Sequence, residues 1–271
     1  MKILIVLLTL WDVGWKEDKM LINKEYELEN PSKMTIVVDN INGDVEVVSS
    51  TDNKVYLTLE IQISGLSNEL IAKAKNELKL GQLLTDDSLV FFTKAPFIKK
   101  NKWGYDMRNP PKYAFKYQYK LKVPKQVAVE AKTINNGNVL VEDIDGPVKV
   151  CNVNGAVEVK NARVIQKAST VNGDVTIHFL ESPKESIDFH TVNGDFNFRF
   201  PEDFSAKVYF DSMNGDLYTS FDYEQMAPKV TKSRKDGKFK IGSKTGIEIG
   251  NNGPEISFNS INGNVYLKKS E

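Results

Sequence analysis

The sequence predicts an all-β protein made of one reused strand unit, stacked as a parallel β-solenoid of β-helix type with one short helix in its N-terminal part. An antiparallel β-sandwich or propeller is the alternative. Three observations carry this expectation. The first is a frame of apolar residue, Asn, Gly and Asp or Asn. It appears as Ile41-Asn42-Gly43-Asp44, Val153-Asn154-Gly155-Ala156, Val171-Asn172-Gly173-Asp174, Val192-Asn193-Gly194-Asp195, Met213-Asn214-Gly215-Asp216 and Ile261-Asn262-Gly263-Asn264. Asn136-Gly137-Asn138 is a looser copy. Self-similarity at a fixed period marks a repeat architecture. The second is spacing: Gly137, Gly155, Gly173, Gly194 and Gly215 lie 18, 18, 21 and 21 residues apart, with Gly146 midway in the first interval. The third is alternation after each corner, as in Val45 and Val47 or Phe196 and Phe198, which lines one face with apolar side chains.

Glycine suits a corner that needs positive φ, and asparagine tolerates the left-handed region and bonds its own backbone. Asn-Gly between alternating runs is also the strongest short hairpin signal, which keeps the antiparallel alternative open. Recurrence of the whole frame at 18 to 21 residues is what stacked rungs require.

Along the chain, Met1-Lys2 followed by Ile3 to Trp11 has the charged start and short apolar core of an export signal. It is too short to span a bilayer alone. Asp12-Val13-Gly14 departs from a small-x-small cleavage site, so a buried first strand is the alternative. Residues 1–19 therefore form a signal peptide or N-terminal apolar segment, with a mature start between Gly14 and Met20. Residues 20–130 form a β-rich part and 131–271 the Asn-Gly repeat part, with one continuous domain over 20–271 as the alternative. In the first part, strands are expected over Met34–Val38, Val45–Val48, Val55–Ile63, Leu89–Thr93 and Tyr113–Val123. One helix is expected over Ser67–Leu80, with Ser67 as N-cap and Leu70, Ile71, Ala74 and Leu78 on its apolar side. A long loop runs from Lys94 to Lys112, and Gln225–Lys238 reads as a charged, exposed excursion.

Composition narrows the function. At 271 residues, 41% hydrophobic and 27% charged, the chain can bury a full core. Lys plus Arg equals Asp plus Glu at 36 each, so no net field attracts nucleic acid or an anionic membrane. Neither contact is expected, nor any integral span once a signal is removed. The single Cys151 forms no internal disulfide, and with two histidines there is no zinc-type cluster. No phosphate loop or dinucleotide fingerprint is present, so no cofactor is expected.

The candidate ligand contacts are Lys100, Lys102, Trp103, Tyr105 and Arg108, where the long loop interleaves aromatic and basic residues. The strand Tyr113 to Leu121 has an aromatic face and a lysine face. The lysines read as solvated residues that discourage edge pairing rather than as a polymer-binding row. Asn42, Gly43, Asn136, Gly137, Asn154, Gly155, Asn172, Gly173, Asn193, Gly194, Asn214, Gly215, Asn262 and Gly263 are read as structural corners. Asp174, Asp195 and Asp216 are expected on adjacent rungs about 4.8 Å apart. Each turn offers one acid and Asn138, Ala156 and Asn264 interrupt the column, so the acids read as turn caps and no metal site is expected. The repeat acids look alike and nothing singles out an acid and a base; neither His178 nor His190 neighbours a nucleophile motif. A non-enzymatic role is the economical reading.

Ser169-Thr170-Val171-Asn172-Gly173-Asp174, His190-Thr191-Val192-Asn193-Gly194-Asp195 and the stretch Gly250 to Val265 resemble the bacterial "putative adhesin" proteins with β-strand repeats. The resemblance spans roughly Met34 to Leu267. It departs at Ala156, which lacks the Asp, and at Asn135, where the frame expects an apolar residue. It implies an exported, cell-envelope β-repeat protein of adhesin type without an established reaction. The leading reading is a periplasmic or cell-surface scaffold that binds a surface glycan or protein. An envelope or intracellular assembly scaffold, with a cytoplasmic location, is the second reading, and a carbohydrate-active β-helix enzyme the third. Ligand identity and oligomeric state are not written in the sequence.

Overall fold

The computed structural model describes residues 14–101, 104–107, 109–235 and 238–270, of which 100–101, 104–105, 228–235 and 238–245 are described by backbone alone. The N-terminal apolar stretch of the sequence lies outside them. The first part of the chain contributes β1 (Lys16–Glu27), β2 (Thr35–Asp39), β3 (Val45–Ser50), β4 (Lys54–Gly65), α1 (Asn68–Glu77), β5 (Lys79–Leu84), β6 (Ser88–Lys94), β7 (Ile98–Asn101), β8 (Gly104–Met107) and β9 (Tyr113–Pro124). The repeats follow as β10 (Ala128–Lys132), β11 (Val139–Glu142), β12 (Pro147–Cys151), β13 (Val157–Ala162), β14 (Val164–Ser169), β15 (Val175–Phe179), β16 (Ile187–His190), β17 (Phe196–Phe200), β18 (Ala206–Asp211) and β19 (Leu217–Thr219). A long hairpin, β20 (Tyr223–Lys235) and β21 (Lys238–Ile249), precedes the last pair, β22 (Glu255–Asn259) and β23 (Val265–Lys269).

Two large mixed sheets result, neither closed into a barrel. One has ten strands in the order β1-β4-β9-β3-β11-β13-β15-β17-β23-β19, the other eleven in the order β20-β21-β18-β22-β16-β14-β12-β10-β2-β6-β5. Both are parallel through the middle, and antiparallel strands stand at the β1 end of the first and at both ends of the second. The strands before and after each Asn-Gly corner lie in different sheets, so no corner is a tight hairpin. β13 and β15 run parallel with Val157 opposite Val175, which removes the antiparallel alternative.

Register explains the core. Val45, Val139, Val157, Val175, Phe196 and Val265 fall in one column, each on the next rung, and all are buried. Alternation then sends every second residue of these strands outward. The N-terminal end is closed by α1, whose Ser67 hydroxyl accepts from Leu70 N at 3.3 Å, the expected cap. Ile71, Ala74 and Leu78 are buried as expected, but the helix stops at Glu77 because Lys79–Leu84 is drawn into pairing with β6. The aromatic face of β9 is buried, and Tyr113 and Tyr117 donate to Glu77 Oε2 at 2.7 Å and to the Lys79 carbonyl at 3.1 Å. Burial raises both phenols. The edge argument for the β9 lysines does not hold, since β9 is an interior strand between β4 and β3.

Two other expectations change. The segment 94–112 is not irregular throughout, because β7 and β8 form their own two-stranded sheet with Asn101 opposite Gly104. The excursion around 225–238 is an antiparallel hairpin that extends the second sheet. The larger surprise is order. β23 lies between β17 and β19, and β22 between β16 and β18, so the C-terminal rung is inserted between two rungs made earlier in the chain.

Candidate functional site

The Asn-Gly corners are structural: Gly43, Gly155, Gly173, Gly194 and Gly263 have positive φ as expected, but the asparagines act by a different physical route from the one sequence suggests. Among the corner asparagines, only Asn136 is left-handed, at φ 54. Their side chains form a ladder in which Asn136 takes part, since Asn136 Nδ2 donates to Asn42 Oδ1 at 2.8 Å. Asn172 Nδ2 donates to Asn154 Oδ1 at 2.9 Å, Asn193 to Asn172 at 2.7 Å, Asn262 to Asn193 at 2.7 Å and Asn214 to Asn262 at 2.8 Å. At the looser corner Asn154 donates to Asn135, not Asn136, so Asn136 is the inserted residue and Ile134 is the apolar member of the frame. The glycines are needed for close approach: a Cβ on Gly173 would overlap the Gly155 carbonyl, and one on Gly194 the Gly173 carbonyl.

The acid column also bonds from rung to rung. Asp174 Oδ1 accepts Asp195 N at 2.8 Å, Asp195 Oδ1 accepts Asn264 N at 2.7 Å, and Asn264 Oδ1 accepts Asp216 N at 2.9 Å. Asp174 and Asp195 thus accept amides of the neighbouring rung and not of their own turn, and Asp195 and Asp216 are not on adjacent rungs, because Asn264 stands between them. A third column escaped the sequence reading although its signal is there, a small polar residue three before the glycine. Asn152 Nδ2 donates to the Gly137 carbonyl at 2.9 Å, Thr170 Oγ1 to Gly155 at 2.9 Å and Thr191 Oγ1 to Gly173 at 3.3 Å. At the C-terminal corners the position is Ser212 and Ser260, whose buried hydroxyls have no partner.

Of the predicted ligand contacts, Lys102, Trp103 and Arg108 lie outside the described residues. Lys100 and Tyr105 face each other in the β7–β8 register, with their side chains outside the described set. Cys151 is a half-buried free thiol that accepts from Ser169 Oγ at 3.5 Å, in keeping with a strand residue. His178 lies in β15, between Lys160 and Arg199 of the flanking strands. Burial, and then the Arg199 charge, hold its imidazole below the usual range.

The arrangement with the most recognition chemistry lies at the C-terminal end of the stack. There β18, the short edge strand β19 and the start of β20 surround a cleft of ≈ 640 Å³ whose polar and aromatic lining includes Asp211, Ser212, Asp216, Tyr218, Tyr223 and Gln225. Local sequence makes it: after Gly215 the chain supplies three strand residues, and buried Phe221 then turns it toward β20. Tyr218 and Tyr223 are 49% and 58% exposed, unusual for large aromatics in this molecule. Tyr218 stacks on Tyr266 with centroids 5.1 Å apart and planes 10° apart, and Lys268 Nζ lies 5.7 Å from the Tyr266 ring. The Asp216 charge raises the Tyr218 phenol. Ser212 also lines the cleft, with its hydroxyl oxygen buried. Aromatic faces for stacking, with carboxylates and an amide for hydroxyl groups, together suit a polyhydroxylated ligand. Among the described residues no cluster of three or more His, Cys, Asp or Glu could hold a metal.

Residues 120–253 match the family model described as Toastrack DUF4097. No curated protein matches the chain by sequence. Among solved structures it is similar to a "putative cell adhesion protein" from Clostridium sporogenes ATCC 15579, at 11% identity, with 93% of this chain and 100% of that one covered and a TM-score of 0.44. A "putative adhesin" from Bacteroides fragilis NCTC 9343 follows at 12% identity, 92% and 97% coverage and a TM-score of 0.34. A "putative lipid binding protein" from Parabacteroides distasonis ATCC 8503 shares 14% identity over 93% and 97%, at a TM-score of 0.27. At these values no activity is carried over.

Proposed function

We propose that this protein is a non-enzymatic, exported binding scaffold of adhesin type, built as a parallel β-solenoid, and that it presents the Tyr218–Tyr223 cleft to a cell-surface glycan. The observation that carries the reading is the pair of exposed tyrosines beside two carboxylates at the C-terminal end of the stack. The corners are committed to rung-to-rung bonding, which leaves the ends and loops for recognition. Export rests on the charged start and apolar core of residues 1–11 and on the resemblance to envelope β-repeat proteins. Among the described residues no helix is long and apolar enough to cross a membrane.

The β7–β8 hairpin, with Lys100, Lys102, Trp103, Tyr105 and Arg108, is the second contact surface in this reading, since it forms a separate small sheet. A glycan array followed by calorimetric titration of the best ligand tests the assignment. Tyr218→Ala with Tyr223→Ala should lower affinity at least tenfold with the melting temperature almost unchanged, whereas Trp103→Ala with Tyr105→Ala should cost less. The opposite ranking moves the site to the hairpin. No glycan bound by the folded protein sinks the glycan reading altogether.

A further inference from the structure

The second sheet comes apart between β14 and β16. β14 pairs with β12 from Val164 to Ser169, and β16 pairs with β22 over its whole length, yet β14 and β16 are paired at Ser169–His190 alone. The cause is legible in the repeat. From Gly155 to Gly173 the step is 18 residues, and one residue, Arg163, joins β13 to β14. From Gly173 to Gly194 the step is 21, and the seven residues 180–186 join β15 to β16. The longer corner carries β16 away from β14 before the two converge at His190.

The gap is a cleft of ≈ 480 Å³. Its floor is core: Ile165, Phe179 and Ile187 are all buried. Its rim is charged and held in place, because Arg163 pairs with Glu181 and lies 3.5 Å from Asp145. Val164 and Leu180 are exposed at this end of the gap. Backbone groups of Val164, Ile165 and Gln166, the β14 residues that line the cleft, meet no strand on the β16 side, over about 10 Å at roughly 3.3 Å per residue, and the bulge at Gln166 ends this stretch. A strand edge with open donors and acceptors is a template for another strand.

We propose that this seam is a binding site for the end of an extended peptide, which enters beside the 180–186 loop and adds a short strand to the open edge of β14. Two features select that ligand class. The open groups of Val164–Gln166 are backbone donors and acceptors, which an extended backbone matches and an acyl chain does not. The floor is apolar and the rim charged, so the peptide should alternate apolar residues inward with polar residues outward. Ser169–His190 closes the far end, so the seam takes a chain end and not a through-running strand. The site is separate from the Tyr218–Tyr223 cleft and does not depend on it.

The test uses the full chain and one defined probe, Ac-Lys-Val-Thr-Val-Thr-Val-NH2, with a counterpart of the same sequence N-methylated at each valine. Hydrogen exchange read by NMR should show open amides in Val164–Gln166 slowed at least tenfold by millimolar probe. The N-methylated peptide should leave them unchanged. Equal protection by both peptides would mean that the cleft takes side chains without a ladder, and overturns the proposal. So does unchanged exchange with the first peptide, or slowing in the same segment by decanoate in place of peptide, which would give the cleft to an acyl chain.

Discussion

The middle of the stack and its C-terminal end use the same corner chemistry but differ in how the chain reaches it. From β10 to β17 each rung is laid on the one before, and the Asn172–Asn154 ladder bond spans 18 residues. At the C-terminal end Asn262 bonds Asn193 across 69 residues, while Asn214 bonds Asn262 across 48. The inserted rung must therefore find a slot between two rungs already specified, at a higher cost in chain entropy. The two regions also differ in satisfaction. Thr170 and Thr191 close onto glycine carbonyls, whereas Ser212 and Ser260 close onto nothing. A repeat frame thus defines what a rung looks like without defining which rung is its neighbour.

The largest effect should come from breaking the inserted rung. Ending the chain at Ile249 removes Phe258, Val265 and Leu267 from contact with Phe189, Phe196 and Phe198. We expect loss of the cooperative urea transition and binding of a hydrophobic dye. Retention of a single sharp transition would mean that the slot closes on itself. Phe258→Ala should cost about 3–5 kcal/mol by the same logic.

In the middle of the stack, Val175→Asp places a charge at a site with 0% exposure and should cost several kcal/mol. Lys149→Ala removes an exposed 2.8 Å pair with Glu130 and should stay within about 1 kcal/mol. Comparable losses in urea melts would reverse the inside and outside of these strands. The third comparison is between corners: Thr170→Val should cost about 1 kcal/mol for a lost hydroxyl donor, while Ser212→Ala should be neutral or slightly stabilising. If Ser212 serves the cleft, its alanine variant weakens glycan binding with stability kept, and calorimetry separates the two.

A smaller effect concerns pH. The folded state holds His178 below its ordinary value of 6.5, so the folded protein binds fewer protons there than the unfolded chain. Its contribution is present above about pH 6.5 and is lost as pH falls through the lower folded value. His178→Gln should flatten the stability profile between about pH 7 and 5. A profile that stays as steep in the variant assigns the dependence elsewhere. The smallest expected response is to calcium, since the corner acids already accept backbone amides. Millimolar calcium should leave the melting temperature in place, and a rise of several degrees reversed by chelation would contradict that.

Much of this architecture was legible because it is local. Alternation of Val157 with Val159 or Phe196 with Phe198 sets which side is inside, and the glycine period sets the rung. The Ser67 cap and the buried Ile71–Ala74 face place the one helix. The roles of the corner residues were less legible. Asn-Gly reads as a local turn, but its asparagine is spent on the asparagine of the next rung, and its glycine on the next rung's carbonyl. The Tyr218–Tyr223 cleft was missed because its residues come from three strands, with no motif of their own.

By itself, the sequence determined the repeat unit, its inside face and its period, since these depend on the chain's own φ/ψ preferences and on side-chain alternation every second residue. Only the tertiary structure decided the order of the rungs and the surroundings of Tyr218. The physical reason is that every rung offers nearly the same edge to its neighbour. Which copy fills a slot depends on connection lengths and on the core opposite, and both are sums over distant parts of the chain.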